Sequence, residues 1–390
     1  MSTEKTIFAQ LLSFIPRHEF DKCVARYDGD YRVRSFTCWE QFIVMCFAQL
    51  TYRESLRDIE TCLHTMQSKL YHVGLRSKIS RSTIADANET RSWRIFADFC
   101  HVLIRWAETL YQDNESFKLD LKHAVYAVDS TTIDLCLSLF PWAKFRKTKG
   151  AVKLHTQLNL KTLIPKEIDI TDGRCHDVNI LDRILFELNS IYVLDRGYVD
   201  FERLFSIHVQ KAFFVIRAKK NLRFRRVYSR NVDKTTGVQC DQTIKLTGIM
   251  VSKEYPEHLR RVKYRDSKSQ KVFVYLTNHF ELAPETVAEL YKNRWKIELF
   301  FKWIKQHLRI KAFYGTSANA VFIQIWIAIS AYVLVAIVKK LLKLDQSLYT
   351  ILQIFSVSLF EKTPLNQGFF NANVTVLDDP IGKPLSLFDS

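Results

Sequence analysis

Two aspartates, Asp129 and Asp195, each follow a short apolar run that is typical of a buried strand. Residues 124–128 and 191–194 are continuous apolar runs of the kind found in strands covered on both faces. If these strands are parallel neighbours, both carboxylates lie at the edge where open α/β sheets bind ligands. A lone aspartate there is usually a turn former. A pair supplies the hard oxygen ligands that Mg²⁺ prefers.

A third carboxylate, Glu298, lies in a long helical pattern that begins near residue 284. At about 100° per residue, Tyr291, Arg294, Lys302 and Lys305 all fall within about 40° of it. The rest of the helix is mostly apolar, and this polar side is hereafter the stripe. A solvated face with an i,i+4 ion pair would contribute only a few tenths of a kcal/mol. A metal-binding glutamate between phosphate-binding cations explains the pattern better.

Trp295 lies at the edge of the stripe, at about 60° from Glu298. Large aromatic side chains on mostly apolar helices are usually buried, so core packing is the default interpretation. The alternative is a functional one, in which the ring belongs to the site at the edge of the stripe. Both interpretations remain open from the sequence.

The N-terminal region, residues 8–115, has helical periodicity. Thr37 and Glu40 have the spacing of a capping box and predict a helix that runs to Leu50. Ser82 is a candidate N-cap for a later helix that continues towards residue 106. A helix, a turn and a capped helix carrying Arg81 suit a reader of the DNA major groove. A plain helical bundle is equally compatible with the pattern.

After residue 123 the pattern is that of an α/β protein, with strands, short helices and a basic segment. Further strands are predicted at 152–160, 167–171 and 213–216, and helices at 179–188 and 201–209. The segment 217–283 predicts strands near 243–246, 260–264 and 271–276. It begins with a run of cations without an intervening acid, which includes Arg223, Arg225 and Arg226.

Residues 321–338 contain no charge and are long enough to raise the question of a membrane span. Gln324 and Ser330 lie within this run, and no second such run occurs. We therefore predict a buried core helix and no membrane association.

The overall composition points to a polyanionic partner. Lys and Arg exceed Asp and Glu by a formal charge of +16, and the pI is about 9.4. The eight cysteines include no C-x-x-C pair, so reduced thiols in the cytoplasm are expected.

The stripe carries a resemblance to a known family. Tyr291, Arg294, Glu298 and Lys305 match the Y-(2)-R-(3)-E-(6)-K signature of insertion-sequence transposases of family four in the DDE superfamily. Further segments resemble the same family: 142–150, Lys153 to His155, Thr171 to Asp177, and Asp195 to Tyr198. We expect His155 to be a core or surface residue rather than a partner of the acids.

The resemblance implies a ribonuclease-H-like catalytic core whose three acids would be Asp129, Asp195 and Glu298. They would hold two Mg²⁺ ions, for which Mn²⁺ would substitute, and would cut and join DNA at the transposon ends, through a hairpin. The implied partners are the inverted-repeat ends, the target DNA and a second copy of the chain. The expected place of action is the bacterial cytoplasm, at the nucleoid. The DNA contacts are expected at Tyr291, Arg294, Trp295, Lys302, Lys305, Arg196, Arg223, Arg225, Arg226 and Arg81.

These features predict an α/β protein with an N-terminal all-α DNA-binding domain (1–115) and a catalytic core (116–216 and 284–345). A basic β-rich insertion (217–283) interrupts the core, and a helical tail (346–390) follows it. About 100 residues separate Asp195 from Glu298, whereas one helix, one strand and short loops need roughly 40. The insertion accounts for the excess.

Two other functions remain open from the sequence. One is a ribonuclease-H-like nuclease that does not transpose, which would share the acids but would not need the stripe or the basic insertion. The other is a catalytically inactive DNA-binding derivative, against which the intact acids count.

Overall fold

The computed structural model describes residues 5–112, 119, 121–308, 310 and 312–365. The N-terminal region is helical, as predicted. Its helices are α1 (Ile7–Ser13), α2 (Arg17–Arg26), α3 (Cys38–Leu50), α4 (Leu56–Thr65), α5 (Gln67–Leu70), α6 (Arg81–Thr90) and α7 (Trp93–Tyr111).

Side-chain caps define where these helices begin. The predicted capping box is present: Thr37 accepts from the backbone N–H of Glu40, whose carboxylate accepts from the backbone N–H of Thr37. The predicted N-cap at Ser82 is wrong. Helix α6 begins two residues earlier because Ser80 accepts from the backbone N–H of Thr83. It also ends at Thr90, and α7 starts separately.

The remaining chain builds one large mixed sheet with helices on its faces. The strands are β1 (Val125–Leu135), β2 (Lys144–Arg146), β3 (Lys149–Asn159), β4 (Pro165–Asp172), β5 (Ile191–Leu194), β6 (Phe213–Arg217), β7 (Phe224–Arg230), β8 (Val238–Leu246), β9 (Leu259–Arg265) and β10 (Val272–Thr277). The helices are α8 (Phe201–Val209), α9 (Ile249–Glu254), α10 (Pro284–Asn293), α11 (Trp295–His307), α12 (Ala318–Leu341) and α13 (Leu348–Ser358).

The strand order is β2-β3-β1-β5-β6-β10-β9-β8-β7, and β4 also pairs with β3. The central strands β1, β5 and β6 are parallel, and the ladders on both sides of them are antiparallel. Alternate residues of these central strands enter two different cores. One core contains Ala127 and Val193 together with α10 to α12 and the N-terminal helices. The other contains Val128 and Leu194 together with α8.

Two local predictions in this region are wrong. Strand β1 does not end at Asp129, because its antiparallel pairing with β3 continues as far as Leu135. The helix predicted at 179–188 is absent; a short 3₁₀ helix, Asp177–Asp182, takes its place. The backbone N–H of Glu187 donates to the hydroxyl of Tyr192 at 2.9 Å, so a side chain satisfies it instead of a helical carbonyl.

The basic segment 217–283 contributes β7 to β10. Strand β10 pairs with β6, so these four strands continue the central sheet outward to an edge at β7. The predicted strands near 243–246, 260–264 and 271–276 are present as parts of β8, β9 and β10. Strand β7 is exposed along most of its length.

Helix α12 is the core helix that the sequence predicts. Among the described residues it is the one helix long and apolar enough to cross a membrane, but 94% of its most apolar stretch is buried within the protein. It packs mainly against α7 and α3. Its buried Gln324 donates to the carbonyl of Ala312 and accepts from the backbone N–H of Tyr314. The polar residue therefore holds the loop that leads into α12.

A buried ion pair joins the outer strands to the segment that precedes α10. Arg260, on β9, donates to both carboxylate oxygens of Asp241 on β8, at 2.8 Å each. The same guanidinium donates to the carbonyl of Leu282 at 2.6 Å. Both charged residues are 2% exposed. Water cannot solvate these charges, so each is stabilised mainly by its partner.

We expect Arg260→Met to lower the free energy of unfolding by about 3–5 kcal/mol, because it leaves the buried Asp241 with only the longer, 3.4 Å contact to Arg230. The measurement is urea denaturation followed by circular dichroism. The control is Arg265→Met, which removes an exposed arginine from the same strand and should change stability by less than about 0.5 kcal/mol. Equal stabilities of the two variants would contradict this account of the pair.

Candidate active site

The parallel pairing of β1 with β5 brings the two predicted aspartates to the same edge of the sheet. Val128 is the register partner of Leu194, and the ladder ends there. Asp129 and Asp195 follow these two residues and therefore lie side by side where the paired segment ends. Because side chains alternate between the two faces of a sheet along each strand, Asp129 and Asp195 share the face of Ala127 and Val193, which α11 covers.

Glu298 reaches this edge from α11, which packs against β1. The single helix expected from the sequence is interrupted at Arg294, so α10 ends before this residue and α11 begins after it. On the far side of the site, Lys305 donates to the carbonyl of Thr132 at 2.7 Å. This contact fixes the C-terminal half of α11 over the extended part of β1.

A cavity of about 320 Å³ opens between β1 and α11. Two of the three acids and two cations of the stripe contribute to its wall, and Asp195 is not part of the lining. The lining residues are Asp129, Ser130, Thr131, Glu298, Phe301, Lys302 and Lys305. The cavity thus places carboxylates and ammonium groups around one space, as a phosphate and its counter-ions require.

Arg294 and Tyr291 contact the acids directly. The guanidinium of Arg294 donates through Nη1 to Asp129 at 2.8 Å and through Nη2 to Glu298. The hydroxyl of Tyr291 donates to Asp195 at 3.3 Å. The sequence predicted that these two residues face the same side as Glu298, but it did not predict that they would contact the acids themselves.

Burial dominates the electrostatics of Asp129. It raises the pKa of this carboxyl to about 6; Arg294 opposes the shift, and the charges of Asp195 and Glu298 add to it. Burial by itself lowers the pKa of Arg294, but the neighbouring acids, Asp129 foremost, outweigh it and raise the pKa. Burial also raises the pKa of Tyr291 to about 12. The site is therefore a poorly solvated cluster in which charges depend on one another.

The three acids have the chemistry of a Mg²⁺ site, since carboxylates at an open edge leave room for water and phosphate. Among the described residues, no three His, Cys, Asp or Glu side chains are already grouped closely enough to hold an ion. The guanidinium of Arg294 lies between Asp129 and Glu298 instead. The ligand types fit a divalent cation, and their present arrangement is that of an ion-paired state.

Trp295 is 44% exposed, so the interpretation of this ring as a core side chain is wrong. It is the first residue of α11, directly after the interruption at Arg294. Trp303, on the same helix, is the packed tryptophan: its ring centroid lies 4.8 Å from that of Tyr332. Lys302 is exposed.

The other predicted DNA contacts lie on different elements. Arg196 is exposed directly after Asp195. Arg223, Arg225 and Arg226 are exposed on and beside β7, five strand positions from β5, or about 24 Å at about 4.8 Å per strand. Arg81 lines a separate cavity of about 430 Å³ between the start of α4 and the loop before α12.

A polar network on the opposite face of β1 was not assigned a role from the sequence. Asp177 accepts from Ser130 at 2.7 Å and from Lys153 at 3.0 Å, and Ser130 adjoins Asp129. His155 is buried and shares a hydrogen bond of 2.9 Å with Thr171. The segments Lys153 to His155 and Thr171 to Asp177 already resembled the family in sequence, but only the register of β1 and β3, which pairs Ser130 with His155, brings them together as one cluster.

Comparison with known proteins gives matches to two family models. Residues 120–334 match the model described as a transposase DDE domain. Residues 3–76 match a domain of unknown function, DUF4372.

Three similar proteins carry the names of transposases. "Putative transposase y4zB" of Sinorhizobium fredii is 32% identical over 283 residues, which cover 72% of this chain and 77% of that protein. "Probable transposase for insertion sequence element IS5377" of Geobacillus stearothermophilus is 35% identical over 209 residues, 53% of this chain and 54% of that protein. "Putative transposase for insertion sequence element IS4SA" of Synechocystis is 26% identical, over 69% of this chain and 75% of that protein.

Among solved structures, the piggyBac transposase in its synaptic complex with hairpin DNA matches with a TM-score of 0.45. The two chains are 12% identical, and the match covers 93% of this chain and 81% of that one.

The family match alone spans more than half of the sequence and includes all three acids. The chain therefore belongs to the transposases of the DDE-domain family, as its sequence motif implies.

Proposed function

We propose that this transposase cuts and joins the DNA ends of its insertion sequence at the edge of β1 and β5, with Asp129, Asp195 and Glu298 as its catalytic acids. The observation that carries the proposal is the convergence of these three carboxylates from two parallel strands and one helix. The strands β1, β5 and β6 with their covering helices would then be the centre of a ribonuclease-H-like core. This setting suits phosphodiester chemistry that depends on divalent metal.

The three acids would hold two Mg²⁺ ions, and Mn²⁺ would substitute. When bound, the metal supplies activation of a water or 3′-hydroxyl and stabilisation of the leaving oxygen. Side chains of the protein would bind and position the DNA. Lys302 and Lys305, in the wall of the same cavity, would bind the phosphates beside the scissile bond.

The exposed ring of Trp295 supports the hairpin route of cut-and-paste transposition. Folding a DNA end into a hairpin displaces a terminal base, which costs a few kcal/mol, and stacking on an aromatic face recovers part of this. Trp295 adjoins Arg294 in sequence and lies one helical turn before Glu298. It would receive such a base while the stripe holds the adjacent phosphates.

Recognition of the DNA would be divided between two regions. The N-terminal region, with Arg81 at the start of α6, would read the transposon end. Arg196 and the exposed arginines of β7 would contact the phosphate backbone of end or target DNA, which gives affinity without sequence preference. Two copies of the chain would assemble on the paired ends, at the nucleoid of a bacterial cell.

We expect Asp129→Ala, Asp195→Ala and Glu298→Ala each to abolish Mg²⁺-dependent nicking of transposon-end DNA and to leave DNA binding largely intact. Each variant loses a metal ligand, whereas phosphate contacts elsewhere remain. Nicking and gel-shift assays on the same preparations provide the test. Asp134→Ala is the control, since it removes an exposed carboxylate of β1 and should nick normally. Near-normal cleavage by a triad variant would exclude that residue from the catalytic acids.

Replacing Arg223, Arg225 and Arg226 with Ala should reduce the salt dependence of DNA binding. If each contacts one phosphate, the slope of log K against log salt concentration falls by up to about 2.7. The triple Arg→Lys variant keeps the charges and should keep the slope. A collapse of sequence preference at an unchanged slope would instead assign base reading to β7.

Trp295→Ala should leave first-strand nicking nearly intact and slow the formation or resolution of the hairpin, and Trp295→Phe should be milder. A time course on a labelled, pre-nicked end measures both steps. Trp303→Ala is the matched control on the same helix: it removes a packed ring and should lower the melting temperature. A loss of nicking by Trp295→Ala together with a large drop in melting temperature would contradict the stacking role.

A further inference from the structure

Arg294 occupies the space between two of the three acids. Its guanidinium bridges Asp129 and Glu298, and its side chain is only 15% exposed. Within the described part of the chain, its third nitrogen, Nε, is buried without a hydrogen-bond partner, and its guanidinium carbon lies 5.9 Å from the ring centroid of Tyr291. Among the described residues, the hydrogen bonds of its side chain therefore go to two of the acids.

The charges explain the arrangement. Three carboxylates held at one poorly solvated edge repel each other, and Arg294 supplies the cation that this cluster needs. A divalent ion between Asp129 and Glu298 would occupy the space that the guanidinium now fills. The two cations therefore compete for one place.

A phosphate offers the guanidinium an alternative partner. Planar, bidentate donors pair as well with a phosphate as with a carboxylate. Arg294 lies at the interruption between α10 and α11, on the stripe that also carries Lys302 and Lys305. A DNA strand that enters the cavity brings its phosphates to this stripe.

We infer that Arg294 is the resident counter-ion of the acids in the metal-free enzyme, and that DNA phosphate draws it away and so opens the metal site. Metal binding and DNA binding are then coupled, and each raises the affinity of the other by the same factor. This role rests on the proposed function of the three acids. It makes Arg294 a residue that links substrate binding to metal loading.

The test measures Mn²⁺ affinity of the full chain by electron paramagnetic resonance, with and without a short pre-cleaved duplex end. In the wild type, DNA should tighten Mn²⁺ binding by about 5- to 150-fold, the usual range of such coupling. In Arg294→Gln, Mn²⁺ should bind about tenfold or more tightly without DNA, and DNA should add little further.

Two control variants separate bridging from net charge. Lys302→Gln removes one charge from α11, and no contact of Lys302 with a carboxylate is found among the described residues. The Mn²⁺ affinity of this variant should change far less. Arg294→Lys keeps the charge but lacks the planar fork that spans both acids, so its affinity should fall between those of the wild type and Arg294→Gln.

Equal Mn²⁺ affinities for Arg294→Gln and Lys302→Gln would overturn the inference, as would a wild-type affinity that DNA leaves unchanged. The wild-type measurement decides the question even where a variant fails to fold. Failure of the proposed function would look different. Mn²⁺ would then bind as tightly to Asp129→Ala and Glu298→Ala as to the wild type, which removes the metal site along with the inference.

Discussion

Three carboxylates can be held at one partly buried edge only if a rigid frame brings them together and positive charge offsets their repulsion. The parallel pairing of β1 with β5 supplies the frame for Asp129 and Asp195. Arg294 supplies the positive charge between Asp129 and Glu298. The rest of the fold supports these two arrangements: each central strand is covered by a core on both faces, so neither aspartate can move far without disturbing packed residues.

The position of Glu298 depends on elements far along the chain. Helix α11 follows an interruption at Arg294, and α10 follows the segment that Arg260 holds through carbonyl contacts. Arg260 is anchored in turn by Asp241 on the outer strands. The basic segment 217–283 is therefore connected to the site mechanically, since its strands continue the sheet and its ion pair fixes the segment before α10, which leads through the interruption at Arg294 to α11. A separate module attached by flexible linkers would not have this effect.

The ion-paired arrangement of the acids bears on when the site can take up metal. Under the proposed coupling, metal loads only when a DNA phosphate is present; because every DNA carries phosphates, this limits metal loading without DNA and does not select the transposon end. The energy involved is modest, because the guanidinium exchanges one set of charged hydrogen bonds for another.

Much of this protein could be predicted from short-range patterns. The strands at 124–128 and 191–194, the stripe around Glu298, the buried α12 and the family itself all followed from residue spacing, because strand and helix periods and a fixed motif are local properties. Tertiary structure decided the rest. Strand β1 runs past Asp129 because β3 pairs with it, and Arg294 contacts the acids because β1 lies opposite the helix interruption. Trp295 is exposed because no element within the described residues covers the start of α11. These outcomes depend on which elements pack against each other, and the spacing of residues along one element does not determine that.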